Sequence, residues 1–368
     1  MNYLGRDTAC RVRKRLCGCR RTWHAMSLLL MLMPLSVQSQ SPSIFTAAWW
    51  NVENLFDTRD DPRTNDDDFT PRGDYHWTRR KLADKIQGLY KTLLEMELPD
   101  VVGLAEVENA YVLRELCNGT PLREAGYRYV HYDSPDRRGI DCALLYRRDR
   151  FRVIYSRPLR VSDSAAGFYT RDILQVEGLT PEGDTVVLFL NHWPSKRGGD
   201  EADRHRMRMA QKLRSQMLRL HKRYPRAAII ALGDMNSTAA EPAIADGMGF
   251  RGDTVNPDGI RNLDYRLPTD WGSHKFQGQW RYIDAVFFLA DQSWTVRKLK
   301  LIRFDHLLTL EDHRPGVRPR RTNQGPRYEG GLSDHLPLLL RISRTQPSAS
   351  APSSSDAPPS QQGEMSSP

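Results

Sequence analysis

Cysteine is scarce in this chain, and so are long apolar runs. Three of its five cysteines, Cys10, Cys17 and Cys19, fall within the first 39 residues. Cys117 and Cys142 remain, which allows at most one disulfide and excludes a disulfide-stapled scaffold; two free thiols are the plainer expectation. The apolar stretch Met26–Leu35 is too short to span a bilayer. It follows a basic segment ending at Arg21 and precedes Ser36-Val-Gln-Ser-Gln, so it reads as a signal peptide cut after Ser39, which predicts export to the periplasm or the extracellular space. No cysteine closely follows that run, so a lipid anchor lacks an attachment site. Neither a Gly-x-x-x-x-Gly-Lys-Ser/Thr loop nor a Gly-x-Ser-x-Gly turn occurs, so nucleotide-triphosphate motors and serine hydrolases lack their motifs.

The charge balance excludes less than it suggests. The formal net charge is +9, but the first 39 residues hold seven Lys or Arg and one acid; without them 47 basic and 44 acidic residues leave a net of +3. Bulk charge then says little about partners. Residues 40–344 are expected to form one large α/β domain, and 345–368, rich in Ser, Pro, Gln and Ala, a disordered tail.

What the chain does have is a recurring construction, an apolar run that stops at polar residues. Ala228-Ile-Ile-Ala-Leu reads as a buried strand ended by Gly233, with Asp234 and Asn236 just past it and a Thr238-Ala-Ala-Glu241 capping box to start a helix. Ligands gather at the carboxyl ends of such strands, and residues two apart on extended chain face one way. Thr46–Asp57 places Asn51 and Glu53 in the same manner, and Asp100–Asn109 places Glu106 and Glu108. Glu106 within an apolar run must be paired, protonated or bound to a cation; Glu108 either orients it or lies on the surface. Val186–Leu190 ends in Asn191-His192-Trp-Pro-Ser-Lys196-Arg197-Gly-Gly, whose cations suit an anionic substrate. Arg138-Gly-Ile-Asp141 and Arg171 adjoin further strands. Asp284 lies in an apolar strand and needs a partner, for which His335, beside Asp334 at the start of the last strand, is the candidate. Two helices are expected, Lys81–Met96 with an apolar stripe at Leu82, Ile86, Leu89 and Leu93, and a basic amphipathic one from Ala202 to Tyr224.

Carboxylates and amides without cysteine suit Mg²⁺ or Mn²⁺ better than Zn²⁺, and a metal with histidines and arginines points to hydrolysis of a phosphate ester by water. Trp50-Asn-Val-Glu, Gly103-Leu-Ala-Glu106, Asn191-His-Trp-Pro, Gly233-Asp-Met-Asn236, Tyr282-Ile-Asp284 and Ser333-Asp-His335 then resemble, in order, the motifs of the endonuclease/exonuclease/phosphatase family, the DNase I-like metal-dependent phosphoesterases. The resemblance, from about residue 44 to 342, implies a four-layer α/β sandwich, two packed mixed β-sheets flanked by helices. It also implies that Glu106 is the principal Mg²⁺ ligand with Glu53 and Asp334 contributing; that Asn51, His192, Asn236 and Arg171 contact the phosphate; and that Asp284 orients His335. Either His335 or Asp234 would activate the attacking water.

Lys196-Arg197 and the arginines of the 314–327 loop (Arg318, Arg320, Arg321, Arg327) favour a nucleic-acid phosphodiester, handled by a monomer without stable membrane insertion. The alternative is a phosphatase or phosphodiesterase for a small-molecule, inositol or lipid phosphate. A binding protein that has lost catalysis is the contrasting class, disfavoured by the completeness of the site.

Overall fold

The computed structural model describes residues 43–162, 167–312 and 314–345. The expected leader, the tail beyond Thr345 and the proposed cut after Ser39 lie outside them.

Two six-stranded sheets form the centre. The first runs β11-β12-β1-β2-β4-β3, from β1 (Ile44–Leu55), β2 (Val101–Val107), β3 (Tyr127–His131), β4 (Asp141–Arg147), β11 (Trp294–Leu301) and β12 (Leu338–Arg344). The second runs β5-β6-β7-β8-β10-β9, from β5 (Arg152–Leu159), β6 (Ile173–Leu179), β7 (Thr185–His192), β8 (Ala228–Asp234), β9 (Arg261–Asn262) and β10 (Asp284–Leu289). Each sheet holds one parallel pair at its middle, β1 with β2 and β7 with β8, amid antiparallel neighbours.

Alternation along the second sheet shows how the layers stack. Val186, Leu188 and Leu190 of β7, with Ala228, Ile230 and Leu232 of β8, belong to the core shared with the first sheet. Val187, Phe189, Ile229 and Ala231 belong to a separate cluster with Met209, Leu213, Met217 and Leu220 of α3 (Gly199–Arg223). The period-2 pattern therefore feeds two cores from one strand. Helix α1 (Arg79–Glu95) contributes Leu82, Ile86, Leu89 and Leu93 to the core of the first sheet, as its stripe predicts. Helix α2 (Ala110–Asn118) joins that core; Asn109 caps it, accepting from Tyr111 N at 2.8 Å and Val112 N at 3.2 Å. These are the four layers of the expected sandwich. Cys117 and Cys142 are free and buried. Among the described residues no helix is long and apolar enough to cross a membrane.

Two local expectations are corrected, and one helix was not expected. The helix expected to start at Thr238 is only a π-helical turn, Ala243–Gly247. The capping contact does form, Thr238 N donating to Glu241 Oε2 at 3.3 Å, but Gly247 and Gly249 end the turn at once, and a Cβ on Gly247 would lie 2.7 Å from that of Ala210 on α3. The last strand begins at Leu338, after Pro337, rather than at Asp334. Finally, α2 follows directly where the sequence reading ends with the β2 junction.

Gly103 on β2 sits at a close approach of the two sheets, since a Cβ there would meet Leu190 Cδ2 of β7 at 2.6 Å, and Trp49 Cε3 of its own sheet at 2.9 Å. Gly103→Val should therefore cost about 1–3 kcal/mol of unfolding free energy in urea, through overpacking. Unchanged stability would show that the sheets are not held at this distance.

Candidate active site

The carboxyl ends of β1, β2, β7 and β8 open on one cleft of ≈ 980 Å³. Glu53, Asn54, Glu106 and Asn236, all non-glycine residues on its walls, have φ of 47°, 57°, 63° and 47°. Such backbone costs on the order of 1–3 kcal/mol per residue and survives only where its surroundings enforce it. Here the strands enforce it: the β1–β2 and β2–β4 registers both break beside the site, and the turned-out amides bond locally. Glu53 N donates to Asn51 Oδ1 at 3.0 Å, and Asn54 N to Glu106 Oε2 at 2.9 Å.

Asp234 lies at the centre, 2 % exposed. Its Oδ1 accepts from Asn236 N at 2.9 Å and its Oδ2 from Asn51 Nδ2 at 3.1 Å, while Nε2 of His192 and Nε2 of His335 each stand 3.7 Å from Oδ2. Burial lifts its carboxyl to about 7, with His335 opposing the rise and Asp284 adding to it.

Asp284 and His335 pair as expected, His335 Nδ1 to Asp284 Oδ2 at 2.6 Å. Trp49 Nε1 donates to the other oxygen at 2.8 Å, and Trp50 Nε1 to the backbone oxygen of His335 at 3.0 Å. Ser333 completes the support, receiving His335 N at 2.9 Å and donating to Asn51 O at 2.6 Å. With Nδ1 so held, Nε2 is the nitrogen that faces Asp234. Burial opposes charge on His335, but Asp284 and Asp234 outweigh it and its pKa stands well above the usual value. His192 is the reverse: burial, then Arg171 and Arg138, hold its pKa well below the usual value, and its Nδ1 lacks a hydrogen-bond partner.

The three expected metal ligands all line the cleft and fall into two groups by their partners. Glu106 stands by Asn51 (Nδ2 to Oε1, 3.5 Å) and His192 (3.8 Å). Glu53 and Asp334 form a second group: Glu53 Oε2 accepts from Thr322 N at 2.8 Å, and Asp334 Oδ2 holds Arg321 at 2.7 Å with His274 at 3.7 Å. Burial, then Asp334, push Glu53 up to about 8. Burial also works against the charge on Asp334, but nearby His274 and the charges of His335 and Arg321 hold its pKa below the usual range. Such a crowd of carboxylate oxygen donors fits a hard divalent cation.

One residue that sequence reasoning passed over lies beneath them. Lys85 of α1 is 2 % exposed, and its Nζ donates to Glu53 O at 2.6 Å, to Leu332 O at 3.0 Å and to Thr322 Oγ1. Burial lowers its pKa to about 8. A signal was available: Lys85 sits three residues after Leu82 and four before Leu89, within the apolar stripe. Asp136 was likewise missed; it holds Arg171 Nη1 at 2.9 Å while Arg171 Nη2 donates to Trp193 O at 3.0 Å. Asn236 Nδ2 reaches the same carbonyl at 2.9 Å. Arg138, given no secure role beforehand, lies 3.7 Å from Glu106 and bonds Asn54 Oδ1 at 2.5 Å.

The cationic loops divide. Lys196 and Arg197 line the cleft and are exposed, Lys196 paired with Glu241 at 2.5 Å. Most of the 314–327 arginines are paired within their own loop. Arg318 bonds both oxygens of Glu329 (2.9 and 2.8 Å), Arg327 bonds Glu329 and Asp312, and Arg320 bonds Glu329 O, so their charges hold the loop together. Arg321 reaches the cleft, against Asp334. Glu108 accepts from Asp57 N at 2.5 Å, away from Glu106.

Residues 46–344 match the profile of the Endonuclease/Exonuclease/phosphatase family, and the chain belongs to it. Its members hydrolyse phosphoesters. No curated protein sequence matches the chain. Solved structures share the fold: an endonuclease/exonuclease/phosphatase family protein from Bacteroides thetaiotaomicron (15 % identity, 83 % of this chain and 96 % of that one, TM-score 0.54), the human Nocturnin catalytic domain with bound sulfate (14 %, 82 % and 95 %, 0.52) and D. rerio TDP2 complexed with single strand DNA product (19 %, 82 % and 99 %, 0.51).

Two outcomes are expected of the metal-free chain. Glu53 and Asp234 titrate higher when folded than unfolded, so the folded state binds more protons and stability falls as pH rises from about 4 through 8. Thermal melts should show this decline, and a divalent cation should flatten it; a melting temperature that rises over that window would contradict the charge assignment. Lys85→Met strands buried acceptors and carboxylates, and should cost about 3–5 kcal/mol. A loss under 1 kcal/mol in urea would mean that Lys85 is not their compensating charge.

Proposed function

We propose that this chain is an exported Mg²⁺- or Mn²⁺-dependent phosphodiester hydrolase, with nucleic acid as the substrate class. The convergence of Asn51, His192, Asn236 and His335 on the buried carboxylate of Asp234 is the observation that carries this reading. Glu106, with Glu53 and Asp334, would hold the cation, which when bound supplies positive charge to the phosphate oxygens and the leaving oxygen.

The residues divide the remaining work. Asp234, raised to about 7 by burial, takes the proton of the attacking water. His335, held charged by Asp284, donates from Nε2 to a phosphate oxygen and stabilises the charge that grows there. Asn51 and Asn236 keep Asp234 oriented and offer amide donors to the phosphate. Arg171 is fixed by Asp136, so it offers a positioned charge rather than a mobile one.

The cleft also supports a diester longer than a single phosphate. Beyond the reacting groups it is lined by Lys196, Arg197 and Arg281, with the aromatic rings of Tyr75 and Phe276, a combination suited to a phosphate backbone and its bases. The DNA product held by TDP2 accords with this. Export rests on the expected leader alone.

Hydrolysis of plasmid DNA, bis-p-nitrophenyl phosphate and p-nitrophenyl phosphate should be compared with Mg²⁺ and with EDTA. The expected result is metal-dependent DNA nicking, the diester outpacing the monoester, and a fall of about 10²–10⁴-fold in kcat for both Asp234→Asn and His335→Ala. Turnover of the monoester alone would replace the nuclease reading with a phosphatase.

A further inference from the structure

A second group of metal-type donors lies outside the cleft, where β3 ends and β4 begins. The His131 side chain is 4 % exposed, and its Nε2 is buried without a hydrogen-bond partner. That nitrogen lies 3.8 Å from Asp141 Oδ2, and Nδ1 lies 3.8 Å from Asp133 Oδ1; neither contact is a hydrogen bond. One ligand atom from each of the three residues falls within 4.8 Å of the others. The Asp141 side chain is 5 % exposed and that of Asp133 75 %, so two donors are fixed and buried while the third is open to solvent and free to close.

We propose that His131, Asp133 and Asp141 bind a structural divalent transition-metal ion, zinc or manganese, with water completing its coordination. One imidazole with two carboxylates favours such ions over Mg²⁺ or Ca²⁺. Tetrahedral bonds of about 2.0–2.2 Å put ligand atoms about 3.3–3.6 Å apart, so donors within 4.8 Å of one another must close by at most about 1.5 Å, a shift that the exposed Asp133 can supply. Charge agrees with geometry. Burial pushes Asp141 up to about 7 and lowers His131, and Asp141 otherwise receives only Ser134 N, at 3.2 and 3.3 Å.

The ion would brace the loop between the strands, residues 132–140. That loop carries Asp136, which positions Arg171, and Arg138, which stands beside Glu106. The site thus secures two groups of the cleft from behind without entering it.

Zinc titration of the full chain by calorimetry tests this, with excess Mg²⁺ present to occupy the cleft. The wild type should bind one zinc and gain melting temperature; Asp133→Asn should weaken binding at least about tenfold, and His131→Gln should abolish it. His335→Ala should retain the zinc event, which separates this site from the cleft whether or not the chain proves to be a phosphodiesterase. Because Asp133 is exposed, its substitution leaves folding intact. Absence of zinc binding by the wild type, or equal affinity in Asp133→Asn and His131→Gln, would overturn the proposal.

Discussion

Everything in this molecule's cleft depends on holding the Asp234 carboxyl at 2 % exposure, where burial lifts its pKa to about 7. An isolated buried carboxylate would be too costly to retain. It is retained because β8 delivers it to a point where Asn51, the amide of Asn236 and two histidines converge. The two sheets are the means of that convergence, since Asn51 comes from the first and Asp234 from the second, and the pair meets at 3.1 Å only because the sheets pack face to face.

The same constraint explains the strain. A regular strand would carry Glu53 and Glu106 along the sheet, whereas left-handed backbone at both turns them toward the opening. Lys85 then supplies a charge from α1 below, and a cation would supply it from above.

Much of this was legible in the sequence because one physical rule repeats: an apolar run announces a central strand, and the polar residues that end it announce the site. Asp234, Glu106 and His192 followed from it, the Asp284–His335 pair from a buried carboxylate's need of a partner, and the resemblance of the ordered motifs supplied the sandwich. What escaped had other causes. Lys85 resembles any helix lysine until its place in the stripe is counted. Asp136 sits in a turn rich in polar residues, where nothing local marks it as the partner of Arg171, 35 positions away. The pairing of the 314–327 arginines was also hidden, because composition shows charge but not its partners, and Glu329 and Asp312 hold three of the four. The helix expected after Thr238 failed because a local capping signal cannot outweigh two nearby glycines and close packing on α3.

The most direct test of the central claim is a crystal structure of the chain grown with Mn²⁺ and a non-hydrolysable phosphodiester, with the metal located by its anomalous scattering. The account predicts a manganese ion on Glu106 and a phosphate lying between Asp234 and His335 Nε2, with Asn236 against one of its oxygens. A cleft that binds neither, or a phosphate seated away from Asp234, would contradict it.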